Sequence, residues 1–399
     1  MPNISQRGVS MPASPIRKLV PLANKAKARG TKVYHLNIGQ PDIQTPDIAL
    51  DALKHIDRKI LEYSPSEGIL SYRARLVEYY ARFDIQIDVE DIIITTGGSE
   101  AVSFSFMACL DPGDEIIVPE PAYANYMAFA ISSGAVIKTI PSSIEEGFAL
   151  PSLEKFEALI TPRTKAILIC NPNNPTGYLY TQREMEQIRD LVKKYDLFLF
   201  SDEVYREFCY TSAPYISAFH LKGIEDNVVL VDSVSKRYSE CGIRIGAIIT
   251  KNKQVRENVM KWCQARLSPP LIGQLVAEAS LDTPPDYMQN VYNEYLERRN
   301  FLIDGINRIP GCYSPMPMGA FYTVAKLPVD DADKFCAWCL DEFEYEGQTI
   351  MMAPASGFYT HPELGRDQVR IAYVLNKEDL GKSLVVLAKA LEAYPGKIR

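Results

Sequence analysis

The chain has 399 residues, 47% of them hydrophobic, enough to bury one large core and a lesser one. Its net charge of −7, with no Lys/Arg block beyond scattered pairs, excludes an electrostatic footprint for nucleic acid or an anionic membrane and points to a small-molecule partner. No run of about 18 apolar residues occurs, and the opening MPNISQRGVSMPASP lacks a basic patch followed by an apolar core, so a cytoplasmic protein is expected.

Residues 1–45 hold a helix-like stretch, PIRKLVPLANKAKARG, and then VYHLNIGQPD, where Gly39 marks a crossing between domains. This segment is expected to join a smaller domain formed by residues 286–399, with residues 46–285 making the large domain. From about residue 90 to 250 a short β-branched run, a Gly/Pro/Asn break and an amphipathic stretch recur, as strands alternating with helices require. The expected strands are DIIITT, DEIIVPE, AVIKTIP, AILICN, LFLFSDE, VVLVDSV and GAIIT. Several are apolar on both faces, so the fold class is α/β, with a mostly parallel seven-stranded sheet flanked by helices. The helix TQREMEQIRDLVKKY should be capped by Thr181 with Glu184 three residues on. In such a sheet a ligand binds beyond the carboxyl ends of the strands, and the segments there are polar and glycine-rich.

Taken in chain order, these segments each admit two readings. In TTGGSEA, Gly97 and Gly98, followed by Ser99, let backbone N–H groups approach an anion at a helix N-terminus; a plain tight turn explains the glycines equally well. NPNNPTG is a rigid loop, a candidate for a cis proline, that could hold the Asn174 amide in place or merely connect a strand to a helix. In SDEVY, Asp202 ends an apolar run, and a buried carboxylate needs a cation or several donors. A protonated heterocyclic nitrogen would satisfy it, with Tyr205 reaching a phenolic oxygen on the same ring; an acidic helix cap is the other reading. SVSKRYSECGIRIG places Ser233, Ser235, Lys236 and Arg244 just past a strand, where an anion and a reactive amine could be held together or a basic loop be solvated.

After the helical stretch around 289–308 the character changes to shorter α/β pieces that end in QVRIAYVL and a helical tail. Arg370 lies inside that apolar strand-like run, where an arginine needs a partner, either a substrate carboxylate or an internal acid. The eight cysteines are spread through apolar runs, the usage of a reducing compartment. Cys336 and Cys339 form a lone CxxC in a helix-like stretch without a second pair or His cluster, so they are read as packing residues and no metal site is expected.

In this order, YSPSEG, TTGGSEA, PAYANY, NPNNPTG, SDEVY, SVSKRYSECGIRIG and VRIA resemble the class I and II pyridoxal-phosphate-dependent aminotransferases of fold type I, in look closest to the bacterial aspartate aminotransferases. The resemblance runs from NIGQPD near residue 37 to VRIAY near 369. It implies that Lys236 carries pyridoxal 5'-phosphate and moves protons, that Asp202 keeps the pyridine nitrogen protonated, and that Asn174 and Tyr205 bind the ring oxygen. Tyr123 resembles the aromatic that stacks on the ring, and Gly97, Gly98, Ser99, Ser233, Ser235 and Arg244 the phosphate cup. Tyr63 looks like the tyrosine that reaches the neighbouring subunit's phosphate, which implies a homodimer with a shared active site. Arg370, with Gly39 and Asn174, matches the clamp on the substrate α-carboxylate.

The implied reaction passes an amino group from an L-amino acid to a 2-oxo acid in two halves, with ping-pong kinetics. Aspartate with 2-oxoglutarate leads, with alanine or an aromatic amino acid as competitors. Where one subgroup of the family carries a lysine for the distal carboxylate this chain has Ser99, and Arg266 in ARLSPP, whose matching loop in relatives borders the neighbouring site, is the expected substitute, with a surface position as its other reading. A carbon–sulfur lyase of the same fold is the alternative reaction. A ligand-binding half of a transcription regulator is disfavoured, since no room for a DNA-binding segment precedes NIGQPD.

Overall fold

β-Branched runs bounded by Gly, Pro or Asn become strands at all seven places expected. The computed structural model describes residues 2–398. β1 (Lys32–His35) belongs to the N-terminal segment. β2 (Ile92–Thr95), β3 (Glu115–Glu120), β4 (Val136–Pro141), β5 (Thr164–Cys170), β6 (Phe198–Asp202), β7 (Val228–Ser233) and β8 (Gly246–Ile249) build one sheet, in the order β2-β8-β7-β6-β5-β3-β4. β3 to β7 run parallel, and β8 is antiparallel to both its neighbours. It turns back because the connection from β7 holds only the one-turn helix Val234–Arg237 and a 3-10 turn, with no crossover helix to carry the chain over a face of the sheet.

Successive residues face opposite sides: Val229 and Val231 join one apolar cluster, Val228 and Leu230 another. Both faces are therefore buried, which is why these strands are apolar throughout rather than alternating. Cys170 pairs with Asp202 in register, so β5 and β6 end side by side, with β7 ending next to them at Ser233. The chemistry-bearing loops leave from that edge. Thr181 caps the helix Gln182–Tyr195 as expected, its Oγ1 accepting from the Glu184 amide at 3.3 Å while a Glu184 carboxylate oxygen accepts from the Thr181 amide at 2.8 Å.

The chain then enters the long helix Pro285–Asn307. β9 (Tyr322–Lys326), β11 (Ala353–Pro354) and β12 (Gln368–Ala372) form an antiparallel sheet with β12 in the middle, and β10 (Gln348–Met351) pairs in parallel with β1. The N-terminal segment thus shares a sheet with the C-terminal part. The helix expected over PIRKLVPLANKAKARG starts later, at Val20, with Pro21 in its first turn, where its missing N–H costs nothing; a turn covers residues 15–19. Cys336 and Cys339 lie buried in the helix Ala332–Asp341, and burial pushes both thiols up, as suits inert packing residues. Among the described residues no His/Cys/Asp/Glu cluster could hold a metal ion.

Candidate active site

A cleft of about 810 Å³ opens at the carboxyl edge of the large sheet, between it and the β9–β12 sheet. Lys236 enters it from the helical turn Val234–Arg237, which Ser233 caps by accepting from the Ser235 amide at 3.2 Å. Its Nζ donates to the Gly39 carbonyl at 3.0 Å. The next residue, Arg237, points the other way, into a buried ionic cluster with Asp232, which also accepts from Tyr80 and has Arg206 at 3.6 Å. Burial would raise the Asp232 carboxyl, but Arg237 and Arg206 more than offset it and hold it below the usual carboxylate range. The turn bearing Lys236 is therefore anchored from beneath.

On the same edge, the helix Gly97–Cys109 begins at the end of β2, and Gly98 and Ser99 of its first turn line the cleft. Gly97 has φ +77°, and a Cβ there would lie 2.3 Å from Arg244 Nη2, so the guanidinium packs closely against the glycine. Arg244 donates to the Cys241 carbonyl at 2.9 Å, and the Ser233 and Ser235 hydroxyls stand 2.9 Å apart. Together these groups form an anion cradle: a helix N-terminus, two hydroxyls and a forked cation.

Asp202, at the end of β6, is 8% exposed and accepts from the Tyr126 hydroxyl at 2.5 Å and the Val204 amide at 3.4 Å. No described cation pairs with it, and burial pushes its carboxyl up to about 6. Asn174 donates to the Tyr205 hydroxyl at 3.3 Å, and Tyr205 shares a hydrogen bond with Tyr322 at 3.0 Å. The Tyr123 ring lines the cleft, edge-on to Tyr126 at 5.4 Å.

Arg370 is 1% exposed, and no described carboxylate reaches it. It donates to Asn174 Oδ1 at 3.2 Å and to the Asn37 carbonyl, its Nε has no partner, and its guanidinium lies 4.7 Å from the Tyr322 ring. An internal ion pair, one of the two readings of this residue, is absent among the described residues.

Twelve of the expected site residues line this one cleft, from Gly39 to Arg370, and Gly97 underlies it through Arg244. Two lie elsewhere. Arg266 turns away from the cleft of its own chain to the Ser66 and Ile94 carbonyls, both at 3.3 Å, with Glu100 at 3.6 Å. Glu100, one helical position past the anion cradle, draws it there. Tyr63 is 78% exposed, away from the cleft of its own chain. Conversely, Tyr126, Tyr322 and Arg17 line the cleft without having been singled out. Tyr126 was within reach, three residues past Tyr123 in PAYANY and tied to it by the turn that opens the helix Asn125–Ser133, the Tyr126 amide donating to the Tyr123 carbonyl at 2.9 Å. Tyr322 carries no such signal in its apolar strand.

The sequence pattern of the family described as "Aminotransferase class I and II" matches residues 31–386. The chain belongs to this family. As a class I/II aminotransferase it is a pyridoxal-phosphate-dependent transaminase. It is 30% identical to the aspartate aminotransferase of Pyrococcus horikoshii, over 98% of this chain and 97% of the relative, and 31% identical to that of Thermotoga maritima, over 93% and 95%. Among solved structures it resembles the Thermus thermophilus aspartate aminotransferase with maleate, at a TM-score of 0.89 and 27% identity over 98% of this chain and all of that one. It is equally similar to an alanine aminotransferase from Pyrococcus furiosus, with a TM-score of 0.89 and 32% identity over 97% and 99%. The residues of this aminotransferase fit the cofactor of its family. An unpaired buried carboxylate awaits a protonated ring nitrogen, and the anion cradle awaits a phosphate.

Proposed function

We propose that this aminotransferase moves the amino group of an L-amino acid, aspartate first, to 2-oxoglutarate by a ping-pong sequence. One observation carries the reading: a buried carboxylate and a buried guanidinium, Asp202 and Arg370, share a cleft with Lys236, and neither has an ionic partner. Each lacks what a cofactor–substrate pair brings, a ring N–H for one and a carboxylate for the other.

Pyridoxal phosphate, when bound, supplies an electron sink and holds the amino group between the two half-reactions. Lys236 would hold it covalently and, once displaced, its amine would serve as base for the substrate Cα proton and then as acid, passing that proton to the cofactor carbon C4′. Asp202, with Tyr126 behind it, keeps the ring nitrogen protonated. Asn174 and Tyr205 donate to the ring oxygen, and Tyr123 covers the ring. The cradle of Gly97, Gly98, Ser99, Ser233, Ser235 and Arg244 grips the phosphate, and Arg370, with Asn174 and Gly39, grips the substrate α-carboxylate. Holding both ends would fix which bond at Cα is presented for cleavage.

The active unit is a homodimer whose shared site includes Tyr63 from across the interface. In support, Ile48, Leu50 and Leu53 on the helix Asp47–Lys54, Leu70, and Ile272 on the helix Leu271–Ser280 are exposed on helices that pack together. The pairing of β1 with β10 supports a small domain of residues 1–45 and 286–399 beside a large one of residues 46–285. Free cysteines throughout, and no described helix long and apolar enough to cross a membrane, support the cytoplasm as its place. Likeness to the alanine aminotransferase keeps alanine as the second donor.

The test is a half-reaction screen: loaded enzyme is mixed with single amino acids and loss of the visible band of the lysine-bound cofactor is followed. Conversion by aspartate and glutamate first supports the reading, and conversion only by alanine or aromatics changes the substrate. If no amino acid is converted and pyruvate is released instead, the protein is a lyase.

A further inference from the structure

The cleft is lined by four cations, Arg17, Lys236, Arg244 and Arg370, against one carboxylate, Asp202. On the reading above, three of the four have tasks: Lys236 the cofactor carbonyl, Arg244 the phosphate, Arg370 the α-carboxylate. Arg17 is left over. Its side chain is exposed and makes no hydrogen bond or ion pair with any described residue.

The backbone that carries it is nevertheless fixed. Ser14 O accepts from the Arg17 and Lys18 amides at 3.1 and 2.9 Å, and Ile16 O accepts from Asn37 Nδ2 at 2.8 Å. Pro15 sits on Gly357, where a Cβ would come 2.3 Å from the proline Cβ, and Lys18 pairs with Asp333. Residues 14–18 thus form a strap pinned over the cleft at several points. Asn37 is the link that matters, because its side chain holds the strap while its carbonyl accepts from Arg370. The two guanidiniums are set on one frame through a single residue.

We infer that Arg17 is the specificity-determining residue that reads the distal anionic group of the substrate, so that this aminotransferase selects dicarboxylic amino and 2-oxo acids. The inference rests on the proposed aminotransferase reading and assigns to Arg17 the task expected of Arg266, whose guanidinium lies 3.6 Å from Glu100 outside the cleft of its own chain. Tyr123 feels both arginines, each easing its phenol down against the burial that pushes it up to about 12, which puts Arg17 within electrostatic reach of the ring-covering residue. Two forked cations with the reacting lysine in the same cleft suit a molecule with a carboxylate at each end.

The experiment uses the cofactor-loaded enzyme and two unreactive acids, succinate and butyrate, which differ in the distal carboxylate. Binding is measured calorimetrically for wild type, Arg17→Gln and Arg17→Lys, alongside aspartate and alanine half-reactions. Wild type should prefer succinate. Arg17→Gln should lose about 10- to 100-fold in succinate affinity, the range for a charge-assisted hydrogen bond, with little change for butyrate, and Arg17→Lys should recover part of it. The aspartate half-reaction should fall far more than the alanine one. The inference is overturned by a succinate-to-butyrate ratio that the glutamine variant leaves unchanged, by a wild type without that preference, or by equal losses for both acids, which would make the strap a cover only. The failure of the wider reading is a different result: a wild type that converts no amino acid at all.

Discussion

Asp202 and Arg370 hold opposite charges in one cleft, both nearly buried, and their ionisation is tied to what occupies it. An ordinary aspartate ionises near 3.8, whereas Asp202 in the fold holds its proton to about 6. As pH rises between those values the unfolded chain releases this proton and the folded chain retains it, so folding stability from this group is full below 3.8 and is lost as pH passes about 6. The cofactor-free Asp202→Asn variant should therefore gain on cofactor-free wild type by up to about 3 kcal/mol across that window. Denaturant titrations of both proteins at several pH values check this; a difference constant with pH would mean that the carboxylate has a compensating partner. With cofactor bound, the same variant should lose most of its activity. At this scale the sequence is legible where a residue type is out of place for its segment, as with an aspartate ending LFLF or an arginine inside VRIAYVL. It is silent where the side chain's direction decides: Arg266 and Arg17 are ordinary arginines in polar stretches, and only packing shows that one is claimed by Glu100 and the other left free.

The strand-to-helix turn at TTGGSEA is an element whose two glycines do separate work. Gly98 has room for a Cβ, whose nearest neighbours would be 3.8 Å away, whereas Gly97 has neither the space nor the backbone angle for one. Gly97→Ala would put a side chain at φ +77°, 2.3 Å from Arg244 Nη2, so the phosphate cradle must open. Cofactor affinity, read by titrating the cofactor-free protein with pyridoxal phosphate, should drop by about tenfold or more, the backbone strain alone being ~1–2 kcal/mol. Gly98→Ala should be milder. If both variants bind alike, the arginine is not seated as described. Elements were the most legible level, because a strand buried on both faces leaves a run of Ile, Val and Leu that no exposed segment can imitate. The reversal of β8 was not legible, since its sequence has the same apolar character as its parallel neighbours and only the shortness of the preceding connection sets its direction.

Assembly governs the largest scale. If Tyr63 works across a dimer interface, then Lys236→Ala and Tyr63→Ala should each be crippled alone, yet mixing the two after subunit exchange should restore activity. A hybrid dimer gathers both lesions in one site and leaves the other intact. Activity rises on mixing by this account, and a mixture no better than its components would show that Tyr63 serves its own chain or none. Sedimentation of the pure protein tests the dimer independently. How the two ends of the chain meet was only partly legible: the change of texture after the long helix suggested a second unit, but nothing in VYHL names GQTIM as its partner.

That pairing also sets a calendar for synthesis. Lys32 lies opposite Gln348, so the first strand made must wait for nearly the whole polypeptide before its neighbour exists. The seven-stranded sheet, closed by residue 249, has everything it needs long before, including the lysine turn and the phosphate cradle. Gly39 and Arg370, and the strap hung on Asn37, come together only when the last strands emerge. On the proposed assignment of these residues, a nascent chain would therefore acquire the means to hold its cofactor first and the means to recognise a substrate last.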